Sequence, residues 1–490
     1  MKTQALSLCF VVALCLATTA SHAQTFTTLA SFHKSVGYSP GAALIQGADG
    51  NFYGGTPSGG KYRVPCGHFG CGTVFKVSSS RRLTAVHRFD DRGGSSANGP
   101  LVLGADGNFY GTTGGGTFSC GTVFKITPEG TLTTLYNFNC ADGFGPNGLI
   151  QATDGNFYGT TTIGGVYYGG TVFRITPAGV EKVLHIFTGG ADGQFPLGLI
   201  QATDGNFYGT TFGGGANQFC QGQGNQMVGC GTVFKITPKG KLTTLYNFCA
   251  QPDCADSVSP SAGLMQGAEG NLYGTTLGRD YRSGGTVFRV TTEGVLTTLY
   301  TFCSQLNCAD GQSPNGLIQA TDGNLYGTAA FGGNDDDGTA FKMTLEGNLT
   351  TLHTFCSRRN CSDGISPEAG LVQGTDGNLY GTTSEGGTHF CPGLDLDGVS
   401  SCGTVFSLSL GLAPFVETIP TSGKLGAKVL ILGNNFTGTT TVSFNGTPAK
   451  FKVVSDTEIR TWAPQGATTG FVTVTTPNGT LTSKVQFLVR

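Results

Sequence analysis

Five aspartates recur at one phase of a repeating chain: Asp142, Asp192, Asp256, Asp310 and Asp363. A ring of carboxylates could bind cations or move protons. An aspartate beside a turn more often accepts N–H groups from its own backbone, and repetition by symmetry favours that role. Two acidic runs are denser, Asn334-Asp335-Asp336-Asp337-Gly338 and Asp395-Leu396-Asp397-Gly398. Clustered oxygens suit Ca2+, which makes Asp335, Asp337, Asp395 and Asp397 the candidate ligands. Neither run carries the terminal glutamate of a full calcium loop, and a solvated acidic turn explains both equally. No other cofactor is expected.

Catalytic signals are sparse. His33, His68, His87, His185, His353 and His389 are scattered, and neither a nucleophile elbow nor a phosphate loop is present. The run Gly213-Gly214-Gly215 lacks the βαβ setting of a nucleotide site and reads as turn glycine. Catalytic groups drawn from distant segments would leave no mark in spacing.

Aromatic residues form a clearer set: Tyr62, Phe69, Phe118, Tyr167, Tyr168, Phe219, Tyr281, Phe331 and Phe390. Each sits in a Gly-rich segment between two strand motifs. Such rings can stack on sugars or anchor a protein partner, or they can fill gaps between neighbouring units. Gln46, Gln151, Gln201, Gln266, Gln319 and Gln373 recur at the first strand of each unit, with Leu103 in the remaining one. They suit a structural hydrogen-bond ring near a central axis.

The element that positions all of these is a repeat of about fifty residues. Its core, Asp/Glu-Gly-Asn-Phe/Leu-Tyr-Gly, begins at Asp49, Asp106, Asp154, Asp204, Glu269, Asp322 and Asp376. A second motif, Gly-Thr-Val/Ala-Phe, begins at Gly72, Gly121, Gly170, Gly231, Gly285, Gly338 and Gly403. One unit reads as four short strands. The Asp154-Gly155 pair is expected to form a two-residue hairpin with positive φ at both positions. A fourth-strand motif ends at Phe89, Phe138, Phe187, Phe248, Phe302 and Phe355, and nothing comparable follows Gly403. The missing copy is Phe26 to Phe32, ahead of the first unit. Four-stranded units repeated seven times, with the N-terminal strand completing the last, specify a seven-bladed β-propeller that leaves no edge unpaired. A solenoid would not require that offset.

In such a blade the 1–2 and 3–4 turns share one face of the disc. The 2–3 and blade-to-blade loops share the other. Here the first face is uniform. The second carries the length variation, the aromatics and fourteen of the sixteen cysteines. Local spacing pairs Cys66/Cys71, Cys220/Cys230, Cys249/Cys254, Cys303/Cys308, Cys356/Cys361 and Cys391/Cys402, leaving Cys120 with Cys140. Five-residue loops contribute about 2 kcal/mol each and the longest about 3 kcal/mol on the loop-entropy estimate. A zinc site is the alternative, but His68 is the one histidine between close cysteines.

Charged residues are 12% of the 490 and the formal net charge is −2, which argues against nucleic acid and against anionic membranes. Lys2, the apolar run Leu6 to Leu16 and Ser21-His22-Ala23 read as a cleaved signal peptide, residues 1–23, so the chain is expected to be extracellular or at the cell surface. The apolar run is too short for a membrane anchor, and no membrane insertion is expected. The propeller is expected over 24–410, followed by a linker at 411–413. Residues 414–490 alternate in short strands and read as an immunoglobulin-like β-sandwich.

The motif train resembles the GloVer extracellular tandem-repeat family over about Thr25 to Leu410. Its signature runs from Asp-Gly-Asn-Phe-Tyr-Gly-Thr-Thr through Gly-Thr-Val-Phe-Lys-Ile-Thr-Pro to Leu-Thr-Thr-Leu-Tyr-Asn-Phe. Pro414 to Val489 resembles an IPT/TIG domain, through Ile419-Pro420, Ser422-Gly423, Gly426, Val429, Ile431, Gly433 and Phe436. The resemblance implies an exported bacterial protein and brings no catalytic residues with it. The expected function is a secreted or cell-surface binding or adhesion protein that recognises a glycan or a protein through its loop-rich face. A propeller-fold polysaccharide lyase or glycoside hydrolase, and a structural envelope protein, are the alternatives.

Overall fold

The computed structural model describes residues 24–60, 66, 69–90, 93–97, 99–217, 220, 229–278, 284–391 and 401–490. The signal-peptide reading, Tyr62, Phe219, Tyr281, Asp395 and Asp397 lie outside these residues.

Each letter of the repeat has a physical task. In the motif beginning at Asp154, one carboxylate oxygen accepts the Asn156 backbone N–H at 3.0 Å. The other accepts the Asn156 side-chain amide at 2.8 Å and the Tyr158 hydroxyl at 2.9 Å. The same trio recurs at Asp49, Asp106, Asp204, Asp322 and Asp376. Only the glycine of the Asp-Gly pair takes positive φ, 83° at Gly155, so the expected two-residue turn is corrected. Gly155 N–H donates to Ala152 C=O and Ala152 N–H to Asn156 C=O, which defines a three-residue loop. The side-chain bonds keep the aspartate right-handed, and glycine alone supplies the left-handed step.

The glycine after each tyrosine is a packing requirement. A Cβ at Gly159 would lie 2.7 Å from Phe173 Cζ, and the six equivalent glycines meet their own phenylalanine at 2.5–2.7 Å. The tip of the third-strand phenylalanine ring therefore packs against the second-strand glycine.

Among the described residues, these hairpins build seven antiparallel sheets between residues 25 and 409. In blade three, Phe144–Gln151, Phe157–Ile163, Thr171–Ile175 and Glu181–Ile186 pair in that order. Here and in blade four the first strand starts earlier than its motif implies, because Phe144 to Pro146 and Gln194 to Pro196 also pair with the second strand. In the last blade Thr25–Ser31 pairs with Thr404–Ser409, so both chain ends share one sheet.

An aromatic cycle joins the blades. The phenylalanine ending each fourth strand meets the third-strand phenylalanine of the next blade edge to face, at 4.8–5.5 Å between centroids. Phe355–Phe406 leads into the last blade and Phe32–Phe75 leads out of it to the first. Each such contact adds about 0.5–1.5 kcal/mol to the area it buries.

A polar cycle runs nearer the axis. The Oε1 of Gln151, Gln201, Gln266, Gln319, Gln373 and Gln46 each accepts a backbone N–H of the preceding blade, at 2.8–3.1 Å. The seventh step has Leu103 in place of glutamine, and there the C-terminal domain docks. Leu103 shares an apolar cluster with Tyr53, Phe109, Ile419, Leu430 and Leu432. The strand Lys428–Leu432 thus buries Val429 and Ile431 in its own sandwich and Leu430 and Leu432 against the propeller. Polar contacts extend the junction: Thr457 Oγ1 donates to Ala48 C=O at 2.7 Å, and Asn434 Nδ2 to Thr375 Oγ1 at 2.7 Å. The docked domain covers turn glycine Gly50 and the linker before it covers Gly377, whereas Gly107, Gly155, Gly205, Gly270 and Gly323 have open space around them.

Within the sandwich, Glu417–Ile419, Lys428–Leu432, Glu458–Trp462 and Phe451–Val453 make one sheet. A second contains Thr441–Phe444 and Val472–Thr476. Asn445 and Gly446 both take positive φ in the tight hairpin between Phe444 and Thr447.

Candidate binding face

With one face uniform and partly occupied by the C-terminal domain, the opposite face carries everything that varies. Its loops are stapled. Disulfides join Cys66–Cys71, Cys120–Cys140, Cys220–Cys230, Cys249–Cys254, Cys303–Cys308, Cys356–Cys361 and Cys391–Cys402, with Cα separations of 3.9–5.3 Å.

The recurring aspartates organise the blade-to-blade loops from inside. Asp310 is fully buried and accepts the Tyr300 hydroxyl at 2.8 Å, Ser304 N–H at 3.0 Å, Ser304 Oγ at 2.9 Å and Gln305 N–H at 3.3 Å. Asp256 and Asp363 repeat the arrangement, with His353 taking the place of the tyrosine at Asp363. Asp142 accepts Tyr136 and Asn139 N–H, and Asp192 accepts His185 and Thr188. Burial pushes the Asp363 carboxyl up, but hydrogen bonds from His353 and Ser357 outweigh it and hold its pKa below the ordinary value. These carboxylates are consumed by their own loops.

Among the described residues, Asp335 and Asp337 belong to no group of three carboxylates within 4.8 Å of one another. Asp336 between them caps Gly332 N–H at 2.8 Å. Burial, then Asp335, Asp336 and Asp363, push the Asp337 carboxyl up. Among the described residues, each group of three metal-capable side chains within 4.8 Å includes a disulfide pair: Cys220, Cys230 and Cys249, or Asp337, Cys356 and Cys361. Sulfurs joined in a disulfide are not thiolate ligands.

The described aromatics stand out of the surface. Phe118 is 57% exposed, Tyr168 73% and Phe390 77%, and Phe69, Tyr167 and Phe331 are also exposed. They therefore do not fill gaps between blade tops. No ring contact joins them to one another among the described residues, so each is a separate platform. Each platform is nevertheless held. Phe69 and Phe118 lie beside disulfides, and Phe390 bridges Ser401 next to Cys391–Cys402. Tyr167 and Tyr168 cap a turn closed by Tyr168 N–H to Gly165 C=O and Gly170 N–H to Gly164 C=O. Tyr168 itself adopts φ 58°, a conformation that a bulky residue rarely takes. Phe144 and Val166, also exposed, widen the apolar surface over blades two and three, and sequence reasoning missed both.

His33 and His389 meet here with ring centroids 5.6 Å apart. Burial, then His389 and Arg88, lower the pKa of His33. Neither belongs to a three-residue metal-capable cluster among the described residues.

One departure from the repeat marks the rim. Leu83, Leu132, Leu242, Leu296 and Leu349 pack at the start of the fourth strand, and blade three has Glu181 in that slot. Its Oε1 is buried without a hydrogen-bond partner. Burial, then Asp142, push its pKa up to about 7. The folded state therefore binds a proton that the unfolded state releases, and stability falls as pH rises from about 4.5 to about 7. Glu181→Leu should raise stability at pH 8 by about 1–2 kcal/mol, discounted for the half-exposed site. Its advantage in Tm should grow between pH 5 and pH 8, and thermal unfolding across that range checks it.

The fold and this face define a disulfide-stapled all-β propeller of extracellular type joined to an immunoglobulin-like module. The chain belongs to the Gloeobacter/Verrucomicrobia repeat family, whose model matches residues 15–152 and 145–394. An IPT/TIG domain follows at 414–489. No curated protein matches the chain. Among solved structures it is similar to a luciferin-regenerating enzyme, at 12% identity and TM-score 0.40, over 80% of this chain and 97% of that one. It is also similar to PorZ, a surface component of the type-IX secretion system of Porphyromonas gingivalis, at 14% identity and TM-score 0.45, over 90% of this chain and 58% of that one. A puromycin hydrolase matches at 11% identity and TM-score 0.46, over 92% and 60%. At these identities the functional reading rests on the chain's own residues. No helix among the described residues is long and apolar enough to cross a membrane.

Proposed function

We propose that this is a secreted or cell-surface binding protein whose loop-rich face recognises an extracellular glycan or protein. The observation that carries the reading is the set of exposed rings at Phe69, Phe118, Tyr167, Tyr168, Phe331 and Phe390, all on loops of one face and most of them beside a disulfide or a closed turn. Exposed aromatics cost free energy in water, and a ligand that covers them recovers it. Holding them in place before binding lowers the ordering cost of association. The aspartates that might have served acid–base chemistry are engaged in their own loops, which favours recognition over turnover.

Mature protein, residues 24–490, should be depleted from solution by one member of a panel of insoluble and soluble polysaccharides, with no sugar released. Tyr167→Ala/Tyr168→Ala should weaken that binding by about tenfold or more with Tm unchanged, because both rings are exposed. Released oligosaccharide would overturn the reading in favour of a hydrolase or lyase and direct attention to His33 and His389. Retention by none of the polysaccharides would leave the protein partner as the ligand class.

A further inference from the structure

The whole-chain charge of −2 conceals a division. Residues 24–413 carry twenty Lys/Arg and twenty-seven Asp/Glu, a net −7. Residues 414–490 carry seven and three, a net +4. The C-terminal domain is thus the basic part of an acidic protein, and its cations are not spread evenly.

One sheet face of that domain has two ends. Strand alternation and the register Lys428↔Trp462, Leu430↔Arg460 and Leu432↔Glu458 put these six residues on the same face. Lys452 joins them, opposite Arg460 on the next strand. The end bearing Leu430 and Leu432 is docked on the propeller. The acids of this face, Glu417 and Glu458, lie level with Leu432 at that docked end. The other end is open. Trp462, the single tryptophan of the chain, is 43% exposed there. Lys428 is its cross-strand partner, Arg460 lies two residues along the same strand and Lys452 lies opposite Arg460, all exposed. Leu425 adds exposed apolar surface beside it, where Gly426 N–H donates to Ala463 C=O. Arg460 reaches Glu458 at 2.6 Å but keeps 67% of its side chain exposed.

We infer that this open end of the sheet is a second binding surface, for an anionic polysaccharide. A sheet face that carries one exposed indole and three exposed cations fits a polymer that presents both sugar rings and carboxylates. The indole stacks on a ring while the cations meet the acid groups. Charge complementarity would direct such a polymer here and away from the acidic propeller. The surface lies on a different domain from the loop-rich face, so the two readings stand or fall separately.

Because Trp462 is the only tryptophan, its emission reports on this surface alone. Mature protein should be titrated with polygalacturonate, and with dextran as a neutral control, in low salt. The expected result is a saturable change in tryptophan emission with polygalacturonate alone, reversed by added salt. Lys428→Ala/Arg460→Ala should shift the midpoint by about tenfold, the effect of losing two exposed charge contacts. Lys452→Ala should shift it less, and Tyr167→Ala/Tyr168→Ala should not move it. An equal response to dextran, no emission change at saturating polygalacturonate, or a midpoint unaffected by the charge variants would overturn the proposal. A salt-sensitive emission change that depends on protein concentration without polymer would also overturn it, by showing that the surface receives a second copy of the chain.

Discussion

Replacing Phe32 with alanine should destabilise the protein by about 3–5 kcal/mol, the range for a fully buried phenylalanine whose cavity cannot collapse. Phe32 is 0% exposed, meets Phe75 edge to face at 4.8 Å and donates its backbone N–H to Gly403 C=O at 2.9 Å. It ends the N-terminal strand that completes the last blade, so it holds the first and last blades together. Phe138→Ala removes an equivalent ring from the middle of the chain, where Phe138 meets Phe173 at 5.1 Å. Both variants should lose similar stability in urea unfolding. Only Phe32→Ala should also open the N-terminal segment to proteases under native conditions, because only there does the ring of blades close without covalent continuity. A cost below about 1 kcal/mol for Phe32→Ala, beside a full cost for Phe138→Ala, would mean that closure depends on other contacts.

Asp310→Ala should cost about 2–4 kcal/mol through a different mechanism. The substitution leaves the Tyr300 hydroxyl, Ser304 N–H, Ser304 Oγ and Gln305 N–H without their buried acceptor. Unsatisfied donors cost more than the net value of the bonds they lose. Asp310→Asn keeps an acceptor oxygen and should lose about half as much. The Cys303–Cys308 disulfide keeps the loop connected in both variants, so unfolding should remain cooperative. Calorimetry of both variants tests the ranking, and an Asn variant as damaged as the Ala variant would point to charge rather than hydrogen bonding.

Much of the scaffold was legible because the repeat states it seven times. Asp154, Gly155, Asn156, Tyr158 and Gly159 are each required by one contact, and a residue with one fixed task recurs letter for letter. The displaced fourth-strand motif at Phe26 to Phe32 announced ring closure. The hairpin type was misread because the Asp-Gly pair was given positive φ at both positions. The hydrogen bonds from Asn156 instead hold Asp154 right-handed. Leu103 stood out as the one absent glutamine, but its partner lay more than three hundred residues away in Leu430 and Leu432. The unbroken apolar run Val429 to Leu432 signals a strand buried on both faces and could have pointed there. Glu181 in a leucine slot was visible in the same way. The loop aromatics could be placed along the chain, but their exposure was not readable. The 2–3 loops share no repeat, and an aromatic ring in a Gly-rich loop serves equally to fill a gap or to project.

The central claim is that recognition belongs to the loop-rich face. Hydrogen exchange of residues 24–490, with and without the polysaccharide or partner that retains them, tests this most directly. The account predicts slowed exchange around Cys140 to Gly145 and Ile163 to Gly169, where Phe144, Tyr167 and Tyr168 project. The uncovered turns Asp106 to Asn108 and Asp154 to Asn156 on the opposite face should be unchanged. Protection of those turns, with the loops exchanging as in the free protein, would contradict the account and place the ligand on the uniform face.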